Sequence, residues 1–390
     1  MRSVRVLVVG GGIGGLALAV GLRDRGAEVE VFERAKTFGN TGSGVELTPN
    51  GVKSLTCIRA ELGRSAVRSG WPSTRHVGRI PVLRADGKLL RSRDLAGFPE
   101  KWGAPLVGIL RSELHRLLTE AVDCPGAGKL TVHRGADVTS VASTSRLANL
   151  ELADGRTAEG DAVIGADGVR STVRGIVVPG SGTRYLFTSV RGIAPRTAEH
   201  TDGFVVVGPA GHFFAEAVDM DRAFWTATVK APEGSWPARS AAAAKKDLLA
   251  LWGDWAHPMP AMVAATELSD IVVTDVHDCS PLPRWHSGRV ALLGDAAHPI
   301  GPVLGQGANM ALEDAAFLSQ ALTERDVPAA LRRYERARSR RANRIIRHTR
   351  VVALLGHTTN PVAVRVRDAV ITMRRRDETY RDKELYSYRP

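Results

Sequence analysis

The chain has 390 residues, 44% hydrophobic and 24% charged, the balance of a soluble globular protein of two or three domains that can bury a large core without covalent staples. This excludes a disordered, collagen-like or many-pass membrane chain. Three widely spaced cysteines without a CxxC exclude a disulfide framework and a zinc site, and they fit a reducing cytoplasm.

The formal charge of +12 is concentrated at one end. Residues 325–390 carry 18 Lys+Arg against 7 Asp+Glu, a net of +11, which leaves +1 for the first 324 residues. This region reads first as a solvated arginine-rich helical face, with a polyanion or acidic lipid as the sharper alternative. Tyr334 is the only aromatic among the arginines of 332–350, so no stacking platform for nucleic acid is expected.

Residues 4–9 are a Val- and Leu-rich run, the pattern of a strand buried on both faces. Residues 10–15 form a turn, 16–25 a helix with Gly26 at its C′ position, and 29–32 a second buried strand closed by Glu33. The uncharged stretch 6–22 imitates a secretory signal, yet its six glycines fit strand, turn and helix better. No other stretch nears the roughly 20 apolar residues that span a bilayer.

Residues 35–105 are mixed and rich in Gly, Arg and Pro. A helix is predicted over 112–121, and short strands over 130–160 with a hairpin at Asp154-Gly155. A buried strand over 162–166 ends in Asp167-Gly168. Residues 185–230 change character: 204–207, 212–218 and 223–229 are β-rich runs of an antiparallel meander. A strand over 290–293 leads into Gly294-Asp295, a loop, a helix over about 308–322, and an arginine-rich helical region. Elements of α/β type at both ends of the chain therefore bracket an inserted β domain.

Three segments carry chemistry. Gly10-x-Gly12-x-x-Gly15 follows a strand and opens a helix: Gly10 permits the tight turn, Gly12 lets the backbone approach a pyrophosphate, and Gly15 lets helix and strand pack closely. The helix N-terminus supplies free N–H groups for phosphates. Glu33 stands where a carboxylate binds ribose hydroxyls. The Asp167-Gly168 and Gly294-Asp295 tips, the latter followed by Gly305-Gln-Gly-Ala-Asn309, would converge with the first on one crevice.

With these three fingerprints in this order, from about residue 4 to 345, the sequence resembles the single-component FAD-dependent monooxygenases of the para-hydroxybenzoate hydroxylase type. The resemblance implies an α/β fold: a Rossmann-like FAD-binding domain (1–75, 106–180, 281–345) with an interleaved β-sheet substrate domain (76–105, 181–280) and a basic C-terminal helical tail (346–390). It implies FAD, NAD(P)H with NADPH preferred, and O₂ as co-substrate, with no metal. Gly10, Gly12 and Gly15 would hold the pyrophosphate, Glu33 the adenosine ribose, with Arg34 beside it. Arg111 would contact the phosphate–ribose region, and Val45, after Gly44, would pass near flavin N5. Gly294 and Asp295 would meet the ribityl chain or a ribose. Gly307, Ala308 and Asn309 would set a helix N-terminus against the electron-rich edge of the reduced flavin. Asp167 is either cofactor-linked or structural. Pro302 matches the second of a proline pair lining the substrate pocket, with Gly301 departing from the first.

The implied reaction runs through a C4a-hydroperoxide that hydroxylates or epoxidises an aromatic or polyketide-like small molecule. No second βαβ fingerprint exists for NADPH, which argues against two-dinucleotide disulfide reductases. The catalytic residues are left open, with Arg191, Pro302 and His212 as candidates; Arg191 either orients an anionic or phenolic substrate or has a structural or flavin-facing role. His212, Phe214 and Glu216 share a strand face, Trp225 can face the same side, and core packing is the plainer reading for the aromatics. His298 either touches the cofactor or is a turn histidine. A same-fold FAD reductase or oxidase, and a catalytically silent flavin-binding accessory protein, stay open as alternatives. No membrane span is expected, and the motifs set no oligomeric state.

Overall fold

A computed structural model describes residues 3–37, 43–72, 79–95, 97–196, 203–323, 326–373 and 378–390. The expected division at 75/76 and the arginines at 374–376 lie outside the described residues. The first layer is a six-stranded sheet in the order 286–287, 290–292, 162–165, 5–9, 28–33, 129–134. Four of its five pairings are parallel, which the continuous Val, Leu and Ile runs of its central strands require, because both faces are covered. The helix Ile13–Asp24 packs on this sheet with Arg111–Asp123 and Gly307–Ala321, and the meander 138–160 covers the strand Arg5–Val9 and its neighbour. Asp154-Gly155 makes the expected hairpin, with Gly155 at φ 84°.

Register decides where the three fingerprints meet. Val9 lies opposite Gly165 and Gly165 opposite Leu292, so the tips that follow these strands emerge side by side.

The second layer is a seven-stranded sheet in the order 272–279, 183–195, 222–229, 211–217, 203–208, 79–84, 89–94. Period-2 alternation gives it two unlike faces. Val190, Phe204, Val206, Phe213 and Trp225 form an apolar core against the helices Ala241–Trp252 and Met259–Ala265. Arg191, Val205, His212, Phe214 and Thr226 face the other way. Trp225 is therefore on the side opposite His212: it pairs with Ala215, one residue out of phase with Phe214, and its Nε1–H donates to Thr266 Oγ1 at 2.8 Å. Phe214 lines a cavity rather than a core.

The long helix Val327–Gly356 corrects the picture of a wholly solvated arginine face. Arg338 is fully buried against Glu313 and Asp314, and Arg341 pairs with Glu313 at 2.8 Å. Farther along, Arg350 Nε donates to Asp278 Oδ2 of the seven-stranded sheet at 2.6 Å. The helix thus crosses from one layer to the other, and the expected division at 345/346 falls inside it. Two further helices, Pro361–Met373 and Glu378–Tyr386, complete the chain.

Candidate functional site

The first tip is made by backbone crowding. Gly10 sits at φ 106°, and a Cβ there would lie 2.5 Å from Ala166 O; one on Gly15 would lie 2.0 Å from Gly10 O. Gly12 is different. It faces a cavity, and nothing lies within 4 Å of the place its Cβ would take. That gap sits at the N-cap of Ile13–Asp24, where the first N–H groups lack intrahelical partners. Glu33 Oε2 accepts the Gly11 N–H at 2.7 Å and Oε1 the Ala35 N–H at 2.8 Å, so its carboxylate holds the turn. Arg34 beside it is exposed.

The second and third tips are held by charged side chains. Arg174, buried, donates to Val169 O, Asp295 O and Ala296 O, which joins the second tip to the third. Asp167 Oδ1 accepts from Ser171 Oγ at 2.6 Å and Oδ2 from the Val173 N–H at 3.1 Å, so this side chain caps the helix Thr172–Val177 and turns away from the cavity. Gly294, at φ 61°, donates its N–H to Asp314 Oδ2 at 3.0 Å. Asp314 also meets His298 Nε2 at 2.6 Å and Arg338 Nε at 2.7 Å. His298 is therefore a buried brace of this tip.

The cavity has a volume of about 1450 Å³, more than the roughly 300–1,000 Å³ of a one-ligand pocket. It runs from Gly12, Val45, Arg111 and Gly294 to the underside of the seven-stranded sheet. Arg111 opens its helix, its N–H donating to Ser43 O at 2.9 Å. Asp295 is exposed into the cavity; desolvation by the cavity walls pushes its carboxyl up, while His298, Arg111 and Arg174 pull it back. Gly307 and Ala308 line the same wall at the start of Gly307–Ala321. Asn309 does not use its side chain there: it accepts the Thr48 N–H at 3.0 Å and donates to Glu46 O and Gly305 O, clamping the strand Gly44–Leu47.

Pro302 lines the cavity, and Gly301 before it keeps φ −64°, ψ 152°, a backbone that proline also adopts. A Cβ at Gly301 would lie 3.2 Å from Phe187 Cζ, and Phe187 stacks on His357 at 4.5 Å. The glycine thus makes room for an aromatic ring.

On the sheet side, Arg191 Nη2 donates to Thr274 Oγ1 at 2.8 Å, but its buried Nε has no partner. Among the described residues no carboxylate pairs with it. Burial, and then the Arg111 charge, pull this guanidinium down to about 10. His212 Nδ1 shares a hydrogen bond with Thr228 Oγ1 at 2.8 Å. Burial, with His357 and Arg367 nearby, holds His212 down at about 3, so the ring is neutral.

The sequence reading missed Arg174 and Asp314, whose roles need the tertiary fold. It read 346–390 as a basic helical tail but missed that Tyr386 of its last helix lines the cavity and hydrogen-bonds Arg93. No local spacing marks a tyrosine inside an arginine-rich tail as part of a cavity wall.

The residues fit FAD. A glycine-tipped helix N-terminus opens onto the cavity at Gly12, a second helix starts at Gly307, and the enclosed volume holds more than one ligand. The FAD binding domain family matches residues 3–349. The chain is 32% identical over 375 residues to the aurachin C monooxygenase/isomerase of Stigmatella aurantiaca, covering 95% of this chain and 94% of that protein. It is 35% identical over 363 residues to the 3-amino-4-hydroxybenzoate 2-monooxygenase of Streptomyces cremeus, covering 90% and 87%. Among solved structures, Klebsiella pneumoniae HpxO complexed with FAD and uric acid superposes with a TM-score of 0.86 at 26% identity, covering 98% of this chain and 96% of that one. The chain belongs to the FAD-dependent monooxygenases of the para-hydroxybenzoate hydroxylase type and is a flavoprotein enzyme.

Proposed function

We propose that this enzyme hydroxylates an anionic, electron-rich aromatic small molecule, with Arg191 receiving the substrate's negative charge. The observation that carries this reading is a half-buried arginine in the cavity wall whose buried Nε has no partner and which no carboxylate pairs among the described residues. A buried charge without a partner is costly, and an anionic ligand relieves that cost. The Streptomyces cremeus relative and the HpxO complex name an aromatic and a heteroaromatic compound, which supports the class.

In this reading Gly10, Gly12, Gly15 and Glu33 hold the adenosine diphosphate end of FAD, with Arg34 beside the ribose. Arg111, Gly294 and Asp295 would hold its middle, Val45 would pass near the flavin ring, and the backbone of Gly307, Ala308 and Asn309 would face the ring's electron-rich edge. FAD bound there, once reduced by NAD(P)H, supplies the oxygen-activating chemistry. The net reaction is substrate–H + O₂ + NAD(P)H + H⁺ → substrate–OH + NAD(P)⁺ + H₂O. The helix start at 307–309 favours an electron-rich ring edge. The seven-stranded sheet excludes water, Arg191 and Pro302 orient the substrate, and neutral His212 offers a hydrogen bond but takes no proton near neutrality.

The test is NADPH and NADH oxidation by the yellow purified protein across a panel of phenolates, aromatic carboxylates and neutral aromatics, with ¹⁸O₂. Anionic members are expected to stimulate oxidation and to acquire ¹⁸O. Stimulation without ¹⁸O in product, with one H₂O₂ per NAD(P)H, would replace this reading by an oxidase. No stimulation by any member would favour an accessory flavin-binding role.

A further inference from the structure

The outward stripe of the long helix Val327–Gly356 changes composition along its length. At three- and four-residue steps it reads Arg333, Ala337, Arg340, Arg344, Arg347, Val351, Leu354, all exposed. The last two are aliphatic, with Val351 55% and Leu354 76% exposed. After the turn at 357–360 the helix Pro361–Met373 presents a second exposed stripe of Val362, Val366, Ala369 and Met373, with Val362 68% and Met373 72% exposed. Arg365 is exposed beside it.

The inner sides of these two helices are apolar as well: Val352, Leu355, Val370 and Ile371 line the cavity. A helix apolar on both sides belongs in a buried setting, and clustered exposed aliphatic residues mark an interaction surface. Five of the ten large hydrophobic residues exposed among the described residues lie within this stretch of 23.

We infer that this end of the molecule docks on an anionic lipid surface, the aliphatic stripes entering the acyl boundary and the arginines meeting headgroups. Charge selects this occupant. A second copy of the chain in a two-fold dimer would set the same face against itself, and Arg340, Arg347 and Arg365 would then confront like charges, Arg344 being paired with Glu384 at 3.2 Å. A polyanion such as nucleic acid satisfies the arginines but leaves the aliphatic stripes in water. An acidic bilayer satisfies both, as interfacial amphipathic helices do. Among the described residues no helix is long and apolar enough to cross a membrane, so the association is peripheral. Docked this way, the rim of the cavity at Val351, Val352 and Leu355 lies next to the apolar phase.

The experiment is co-sedimentation of flavin-loaded, full-length protein with sucrose-loaded vesicles of mixed phosphatidylglycerol and phosphatidylcholine, against pure phosphatidylcholine. Wild type is expected to partition at least about tenfold more strongly to the acidic vesicles, and to lose most of that binding at high salt. Leu354→Ser/Val362→Ser/Val366→Ser/Met373→Ser is expected to lower partitioning about tenfold or more with flavin content and melting unchanged, and Arg340→Gln/Arg347→Gln/Arg365→Gln to lower it comparably. If the fourfold variant loses its flavin, Leu354→Ser and Met373→Ser singly carry the same comparison at about threefold each. Equal binding to both vesicle types, or full binding by the aliphatic variants, overturns the proposal. So does a concentration-dependent dimer that those variants dissolve. Vesicle binding requires no turnover, so this proposal and the functional reading fail separately.

Discussion

The cavity has two walls built by different means. On the flavin side the wall is backbone: strand tips pressed together so tightly that a Cβ at Gly15 would lie 2.0 Å from Gly10 O, with Arg174 joining the second tip to the third and Asp314 bracing the third. On the sheet side it is side chains, Arg191, Thr226, Phe214 and Val205 set in one row by cross-strand register. The first wall fixes a shape shared by anything that binds the same cofactor, and it tolerates almost no change. The second can be re-lettered residue by residue without disturbing a strand, which is where substrate choice can vary.

Two glycines three residues apart break or sharpen this contrast most. Gly15→Ala forces backbone apart, and we expect a loss of about 3 kcal/mol or more of stability together with the flavin. Gly12→Ala meets nothing in the protein itself. Its stability should stay within about 0.5 kcal/mol of wild type, while flavin affinity falls on the order of a hundredfold because the methyl group enters the ligand's space. Denaturant melts and flavin titration separate the two, and equal stability losses would remove the distinction. On the other wall, Arg191→Met is expected to lower kcat/KM for an anionic aromatic by roughly 10²-fold, about 2–3 kcal/mol, while raising the stability of the ligand-free protein by about 1 kcal/mol through loss of an unpaired buried charge. A variant less stable than wild type would mean that the Thr274 bond outweighs the burial cost.

The same contrast explains what could be read in advance. Backbone-made sites need glycines at fixed spacing and strands of unbroken Val, Leu and Ile, and both are local, so the parallel sheet and its tips were legible. The Asp154-Gly155 hairpin was legible for the same reason. Side-chain-made features depend on register between distant strands. Trp225 faces the outer core because it pairs with Ala215 rather than Phe214, and no property of residues 222–229 alone says so. The arginines of the long helix look alike in sequence. Only a helix crossing two layers makes Arg338 a buried partner of Asp314, Arg350 a partner of Asp278, and Arg347 a surface residue. Tyr386 reaches the cavity because Lys53 and Arg341 hold the last helix by its main-chain carbonyls, at Tyr386 O, Glu384 O and Leu385 O.

The smallest expected effect concerns His212, and it has a definite sign. Burial holds this ring down at about 3, whereas in the unfolded chain it titrates near 6.5. Above about pH 6.5 both states are neutral at this position and it contributes no pH dependence. Below that, the unfolded chain takes up a proton that the folded one refuses, so stability falls as pH falls, by up to about 1.4 kcal/mol per unit until the folded ring itself titrates. His357, also lowered by burial, acts in the same direction. His212→Gln keeps a hydrogen-bonding group opposite Thr228 but cannot titrate. The difference between its stability and that of wild type should therefore shift in the variant's favour by about 1 kcal/mol between pH 6.5 and 5.5, measured by urea melts of the flavin-loaded protein. Because the ring is neutral throughout the working range, the same variant should keep the shape of the pH–rate profile even if its rate drops. A limb near pH 6.5 that disappears in His212→Gln would show that the ring exchanges protons during turnover, and the sheet-side wall would then hold a base as well as an anion site.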